Sequence, residues 1–161
     1  MYMRKTGLRT WLVGMFMLFV SITLQAAKVD TLAVYSEVMK RKIEVIVVVP
    51  EKQQELAASV YLLHGYTGDA RNWIDKRTDL PEVADRFNLL FVCPDGKNSW
   101  YWDSPKDPGS QFETFVSKEL VNYIQKQYAV EDNPNKRAIS GLSMGGHGAL
   151  WLAIRHPEVF G

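Results

Sequence analysis

Cysteine is nearly absent from this sequence of 161 residues, and neither sign of charge is in excess. The single cysteine, Cys93, excludes an intramolecular disulfide framework and a cysteine-rich zinc site. With 19 Lys and Arg against 18 Asp and Glu, the charge balance indicates neither a nucleic-acid partner nor an acidic tail. The sequence also lacks internal repeats, low-complexity tracts and linkers, which argues against a second domain. The remaining composition, 47% hydrophobic and 23% charged, is typical of a globular protein.

The N-terminus, residues 1–27, has the three-part order of a secretory signal peptide. Residues 1–9 carry three basic residues and no acid, residues 11–24 form an uncharged and mostly apolar run, and Gln25-Ala26-Ala27 supplies small residues suited to cleavage. The apolar run is shorter than the ~20 residues that a membrane-spanning helix needs, and an uncleaved N-terminal anchor is the alternative. We therefore expect a periplasmic or secreted protein with no stable membrane anchor.

Strands and helices are predicted to alternate along the rest of the chain. Period-2 patterns and short apolar runs predict strands, and an apolar spacing of three and four residues predicts helices. Asp79 is expected at the N-cap of the first helix. The order β-β-β-α-β-α-β-α predicts an α/β fold, with a mostly parallel sheet and an antiparallel N-terminal hairpin. The predicted strands are 31–38, 43–49, 59–63, 89–93 and 137–140, and the predicted helices are 80–87, 112–124 and 144–155.

The segment Gly141-Leu142-Ser143-Met144-Gly145 has the pattern G-x-S-x-G. On its own the pattern is weak, because three fixed residues recur by chance in roughly one chain in twenty of this length. Its setting strengthens it, since a predicted strand precedes it and a predicted helix follows, as a nucleophile elbow requires. Such a sharp turn leaves no room for side chains two residues before and after the nucleophile, where Gly141 and Gly145 stand. The pattern predicts Ser143 as a nucleophile, and a glycine-rich packing turn is the alternative.

An acyl-transfer site also needs hydrogen-bond donors for the oxyanion. One is predicted to be the backbone N–H of Met144, the residue after the nucleophile. The second is expected in the loop after the third strand, His64-Gly65-Tyr66-Thr67-Gly68, whose glycines allow a close backbone approach. We assign it to the Tyr66 N–H, with Thr67 as the fallback. His64 is interpreted as structural, because a catalytic base at this point would be out of chain order.

Four segments stand in order along the sequence: Tyr61 to Tyr66, Pro94 to Tyr101, Gly141 to Leu150, and Arg155 to Gly161. Together they closely resemble the esterase D-like α/β-hydrolases, which include S-formylglutathione hydrolases, tributyrin and feruloyl esterases, and mycolyltransferases. The resemblance covers nearly the whole chain after the N-terminal segment. It implies an α/β-hydrolase fold and a Ser-His-Asp esterase mechanism with no metal and no organic cofactor. It also implies that Ser143 is the nucleophile and that Tyr66 and Met144 donate to the oxyanion.

The sequence departs from this family after the predicted nucleophile. α/β-hydrolases place the acid and then the histidine later in the chain, whereas 18 residues follow Ser143. His147 lies four residues further along the same predicted helix and His156 lies at its far end, so neither is expected to reach the hydroxyl. We expect residues 28–161 to be the N-terminal portion of a catalytic domain, with the C-terminal part of the fold missing and the fifth strand an uncovered edge. The carboxylates that could line the cleft without supplying a base are Asp95 and Asp103.

Three functions remain open at this point. The leading prediction is hydrolysis of small acyl esters, or of feruloyl or acetyl esters of sugars, because export weighs against the cytosolic S-formylglutathione substrate. Acyl transfer to a sugar alcohol would use the same residues. An inactive, truncated remnant that binds carbohydrate is the third possibility, since a serine hydroxyl with no base is a poor nucleophile. The aromatic run Trp100-Tyr101-Trp102 could either line a substrate pocket or pack beneath its own loop.

Overall fold

The computed structural model describes residues 27–51 and 56–161 of the chain. The signal peptide predicted at 1–27 falls outside these residues except for Ala27, so it stays a prediction. The strands are β1 (Lys28–Ser36), β2 (Arg41–Val49), β3 (Ala58–Leu63), β4 (Leu89–Pro94) and β5 (Arg137–Gly141). The helices are α1 (Asn72–Lys76), α2 (Leu80–Phe87), α3 (Phe112–Thr114), a π-helical segment (Phe115–Leu120), α4 (Val121–Gln127), a 3₁₀ turn (Pro134–Lys136) and α5 (Met144–Arg155).

The five strands of the described residues form one sheet in the order β1-β2-β4-β3-β5. β1 and β2 make the antiparallel hairpin that the sequence predicts, paired from Lys28 with Val49 to Ser36 with Arg41. β2 is also antiparallel to β4, whereas β3 is parallel to both β4 and β5. The sheet is therefore mixed, and it combines the predicted antiparallel hairpin with the parallel strands of the predicted α/β class.

Helices cover both faces of the sheet because side chains alternate along each strand. In β2, Val45 and Val47 point to one face, and Ile46 and Val48 point to the other. The first face packs against α3, the π-helical segment, α4 and α5. The second face packs against α1 and α2 and contains Cys93, which is buried as a small apolar residue. The result is a three-layer α/β/α arrangement.

Two helical features differ from the prediction. Helix α2 has the predicted bounds and Asp79 is its N-cap residue, but the Asp79 side chain caps no backbone N–H. Its carboxylate pairs instead with Arg77, at 2.8 Å. The predicted helix 112–124 extends to Gln127 and contains the π-helical turn. Within that turn Glu119 accepts hydrogen bonds from the Ser36 hydroxyl, at 2.6 Å, and the Val38 N–H, at 2.9 Å, so the turn is tied to the N-terminal hairpin.

The carboxyl ends of β3, β4 and β5 meet at one edge of the sheet because these strands are parallel. The loops that follow them, which begin at His64, Asp95 and Leu142, are therefore brought together. In open α/β sheets this edge is where ligands bind. Among the described residues, no helix is long and apolar enough to cross a membrane.

Candidate active site

Ser143 lies on the turn between β5 and α5, as the G-x-S-x-G pattern predicts. It precedes the first residue of the helix and its backbone is left-handed, with φ 53° and ψ −115°. A residue with a β-carbon is strained in this conformation, and such strain clusters at functional sites. The side chain of Ser143 is exposed. The turn therefore presents the hydroxyl at the edge of the sheet.

The two glycines of the pattern are sterically required. A β-carbon on Gly145 would overlap the Leu63 carbonyl and lie 2.7 Å from the carbonyl oxygen of His64. A β-carbon on Gly141 would overlap the backbone of Gly145 and lie 2.8 Å from the next backbone nitrogen. Both distances are too short for real β-carbon contacts. The first turn of α5 thus packs directly against the end of β3, which a side chain at either position would prevent.

The loop after β3 faces Ser143 across a cavity of about 250 Å³. Gly65 lies directly behind Ser143, since a β-carbon there would lie 3.6 Å from the Ser143 β-carbon. Ser143 and Tyr66 both line this cavity, and Met144 follows Ser143 as the first residue of α5. The residues that line the cavity are Gly65, Tyr66, Thr67, Gly68, Asn72, Lys76, Leu142 and Ser143.

Hydrogen bonding in this loop separates the two candidates for the second oxyanion donor. The Thr67 N–H already donates to the Asn98 side-chain oxygen at 2.8 Å, so it is engaged. Among the described residues, the N–H groups of Tyr66 and Met144 have no hydrogen-bond partner. Two free donors beside the start of α5 favour an anion, because the helix dipole adds positive potential at Met144. The geometry therefore supports Tyr66 over Thr67.

His64 is buried below the loop, and its ring has two defined partners. The Gly96 N–H donates to Nε2 at 2.9 Å, so Nε2 is the unprotonated nitrogen. Nδ1 then carries the proton and donates it to the Gly65 carbonyl at 2.7 Å. Both ring nitrogens are used in holding backbone, which agrees with the structural role predicted for His64. The histidine ties the loop of β4 to the loop that carries Tyr66.

Tyr101 joins the same loops from the interior. Its hydroxyl accepts from the His64 N–H at 3.0 Å, and its ring is fully buried. A β-carbon on Gly96 would lie 2.7 Å from that hydroxyl, and one on Gly148 would lie 2.5 Å from the ring. One tyrosine therefore packs against the β4 loop and helix α5 while it binds the end of β3. Burial raises the pKa of Tyr101 far above its ordinary value, so it stays protonated.

The predicted cleft carboxylates have other partners. Asp95 is buried and pairs with the Lys97 ammonium at 2.5 Å. Asp103 accepts hydrogen bonds from the Thr114 N–H at 3.0 Å and from the Thr114 hydroxyl at 2.5 Å, and it thereby holds the start of the long helix. Both carboxylates fix loops in place.

Each of the three histidines in the sequence is also accounted for. His64 holds backbone, His147 lies among tryptophan rings, and His156 contacts Glu113 with Nε2 at 2.9 Å. In the part of the chain that the structure describes, no histidine side chain makes a hydrogen bond to the Ser143 hydroxyl. The same residues include no group of His, Cys, Asp and Glu side chains that could hold a metal ion. The arrangement offers an exposed serine hydroxyl and two free backbone N–H donors, and none of the three histidine side chains bonds to that hydroxyl.

Sequence reasoning missed two features of this region. The helix α1, which contributes Asn72 and Lys76 to the cavity, is too short to show an apolar period. The second missed feature is the buried carboxylate of Glu113, which accepts hydrogen bonds from the Trp151 indole at 2.8 Å and from Arg155 at 2.7 Å. Its partners are about 40 positions away in sequence, and no local pattern links them.

Comparison with curated proteins gives esterase and acyltransferase relatives. An acetyl esterase of Caldicellulosiruptor saccharolyticus is 28% identical over 136 residues, which are 78% of this chain and 50% of the relative. The diacylglycerol acyltransferase/mycolyltransferase Ag85A of Mycobacterium bovis BCG is 36% identical over 112 residues, which are 63% of this chain and 32% of the relative. The chain thus spans half or less of the length of these curated relatives.

Solved structures show the same fold. An S-formylglutathione hydrolase from Agrobacterium tumefaciens superposes with a TM-score of 0.75 at 26% identity, covering 85% of this chain and 58% of that one. A ferulic acid esterase superposes with a TM-score of 0.73 at 31% identity, covering 84% and 58%. The family model described as "Putative esterase" matches residues 36–161, which contain the strained serine turn and the loop that faces it. On this match and this geometry, the chain belongs to the esterase family and has the fold of the α/β-hydrolases.

Proposed function

We propose that this protein is a carboxylic-ester hydrolase that acts through Ser143 and an acyl-enzyme. One observation carries the proposal: an exposed serine hydroxyl on a strained turn shares a cavity with the loop of Tyr66, and two unpartnered backbone N–H groups flank it. Such an arrangement matches what nucleophilic acyl transfer requires, namely a reachable nucleophile and donors for the developing oxyanion.

The reaction proceeds in two steps. The Ser143 oxygen attacks the ester carbonyl carbon, its proton goes to a general base, and the carbonyl oxygen becomes an oxyanion held by the N–H groups of Tyr66 and Met144. The bond to the alcohol oxygen then breaks, and the alcohol leaves with the proton. Water attacks the acyl-enzyme in the same way, which releases the carboxylic acid and restores the serine. The chain's own histidines are engaged elsewhere, so the base is not among them.

The substrates we propose are small acyl esters, or feruloyl or acetyl esters of sugars. The acetyl esterase relative and the ferulic acid esterase neighbour support these acyl groups. The cavity of about 250 Å³ suits a small acyl group better than a long chain. The N-terminal pattern supports export to the periplasm or the medium. N-terminal sequencing of the mature protein tests this, with a start near residue 28 expected.

Acyl transfer to a sugar alcohol is the second candidate, because Ag85A is a mycolyltransferase and 36% identical. The acyl-enzyme would be the same, and a sugar hydroxyl would replace water in the second step. Product partition in the presence of trehalose or a xylo-oligosaccharide separates the two. If an ester substrate gives only free acid at every sugar concentration, transfer is excluded.

Covalent labelling with a fluorophosphonate tests the nucleophile. We expect labelling of the protein that is lost in Ser143→Ala and kept in the matched control Ser140→Ala, an exposed serine three residues earlier on β5. Labelling that persists in Ser143→Ala would assign the nucleophile elsewhere. A folded protein that is not labelled at all would favour the third possibility, an inert remnant that binds carbohydrate.

A further inference from the structure

Four aromatic side chains form a partly exposed cluster one helical turn from Ser143. We name this cluster the aromatic shelf: Trp100, Trp102, His147 and Trp151. Trp100 and Trp102 are 44% and 46% exposed. The rings of Trp102, His147 and Trp151 lie within 32° of parallel, with centroids 5.6 to 6.3 Å apart, and Trp100 stands edge-on to His147 at 5.4 Å. Exposed apolar patches of this kind mark binding surfaces.

The shelf is held rigidly from below. The Trp151 indole N–H donates to Glu113, and the Arg155 guanidinium lies 4.9 Å from the centre of the Trp151 ring. Arg155 also donates to Glu113, so the two charges next to the shelf compensate each other. A bound molecule would therefore find a fixed aromatic surface without net charge. Arg155 and Glu113 therefore leave no unpaired charge here for an ionic ligand.

The backbone that presents the shelf is strained. Trp100 and Tyr101 have φ values of 58° and 60°, so two consecutive residues with β-carbons are left-handed. This turn buries Tyr101 against the loop of His64 and leaves the tryptophans on either side of it exposed. Packing explains why Tyr101 is buried, but it does not explain why the two neighbouring indoles are exposed. Strain that persists in a folded protein points to a function for what it presents.

We propose that the aromatic shelf binds a neutral sugar ring of the substrate's alcohol part, an inference that rests on the proposed ester hydrolase. A pyranose has C–H groups on a face, which pack on an aromatic ring, and hydroxyls around its rim, which stay in water. An open shelf suits such a ligand, whereas an aromatic acyl group gains most from a pocket that encloses both faces. Among the described residues the indole N–H groups of Trp100 and Trp102 have no partner, so both can donate to sugar hydroxyls.

The position of the shelf agrees with this assignment. His147 follows Ser143 by four residues on α5, about 6 Å along the helix axis, and its N–H donates to the Ser143 carbonyl at 3.0 Å. The cavity of Tyr66 is formed by a different loop. An ester carbonyl at Ser143 can therefore place its acyl group in the cavity and its sugar on the shelf.

Calorimetric titration of the full chain with xylotetraose tests the inference. We expect saturable binding that weakens about two- to tenfold in Trp102→Ala, because one aromatic contact contributes roughly 0.5–1.5 kcal/mol. Trp102→Met keeps the bulk without the ring and is expected to weaken binding equally, which covers the case in which the alanine variant does not fold. The matched control is Phe87→Ala, an aromatic residue 58% exposed on α2, which should bind as the unmodified protein does.

Ser143→Ala separates this inference from the proposed function. The variant should bind xylotetraose with unchanged affinity, since the shelf does not use the hydroxyl. If the unmodified protein binds the sugar but shows no esterase activity, the inference about the shelf holds and the proposed hydrolase function is wrong. The inference is overturned if no saturable binding is found, or if both Trp102 variants bind as the unmodified protein does. Competition by free ferulate for the shelf would also overturn it.

Discussion

Replacement of Tyr101 by phenylalanine removes one oxygen atom from the interior and leaves the ring. The hydroxyl accepts from the His64 N–H at 3.0 Å and donates more weakly to the His64 carbonyl at 3.4 Å. Both partner atoms are buried. The phenylalanine ring of the variant keeps the packing against Gly96 and Gly148, so the substitution isolates the polar contact.

The loss of folding free energy follows from the buried His64 N–H, which is left without its acceptor. A buried N–H that loses its acceptor costs about 1–3 kcal/mol, and the packing of the ring offsets none of this because it is unchanged. With a urea m-value of about 2 kcal/mol/M, the unfolding midpoint should fall by about 1 M. Because the His64 peptide begins the loop that carries Tyr66, fluorophosphonate labelling of Ser143 should also slow.

Urea denaturation followed by circular dichroism measures the first effect, and the rate of labelling in the absence of urea measures the second. Tyr35→Phe is the matched control, because Tyr35 is 47% exposed on β1 and a surface hydroxyl contributes within about 0.5 kcal/mol. If Tyr101→Phe and Tyr35→Phe unfold at the same urea concentration, the hydroxyl does not hold the loop and the reasoning fails.

Three further predictions use other parts of the molecule. Gly145→Ala should lower the free energy of unfolding by about 1–3 kcal/mol and abolish labelling, whereas Gly146→Ala, whose β-carbon would lie 3.3 Å from its nearest neighbour, should do neither; equal effects would refute the steric argument. Burial opposes ionisation of Glu113, but hydrogen bonds from Arg155, Trp151 and His156 outweigh it and hold its pKa below the ordinary value. The lowered pKa stabilises the fold above the unfolded carboxyl pKa of about 4.3, and this stabilisation is lost as pH falls through the folded pKa. Urea titrations should therefore show Glu113→Gln less stable by about 2 kcal/mol at pH 7 and closer to the unmodified protein at pH 3, and a difference that is the same at both would contradict this. Burial raises the pKa of Cys93 to about 12, so Ellman's reagent should react with it only in denaturant, and stoichiometric reaction with the native protein would place it at the surface.

Local patterns predicted the parts of the fold that local physics decides. The bounds of α2 and α5 were predicted because apolar spacing and helix-stopping residues lie within the segments themselves. The serine turn was predicted because its glycines lie within the segment itself, two residues before and two after Ser143. The central place of β4 in the sheet was not predicted, because strand order depends on contacts between segments distant in sequence.

Local patterns could not show which groups compete for a partner. Asp79 is where an N-cap belongs, but Arg77 takes its carboxylate. The sequence leaves Thr67 as the fallback to Tyr66, and only the position of Asn98 shows that the Thr67 N–H is engaged. Likewise the apolar residues Leu150 and Ile154 of α5 are exposed, because Met144, Gly148, Ala149 and Leu152 face the core.

The position of strand β5 has a consequence for which groups can lie beside Ser143. In the described residues β5 pairs with β3 alone, and its outer side adjoins a depression of about 260 Å³ beside α5. Open strand edges attract other strands. Gly141 and Gly146, which frame the serine turn, line this same depression. Any polypeptide that extends the sheet at β5 therefore becomes a neighbour of Ser143.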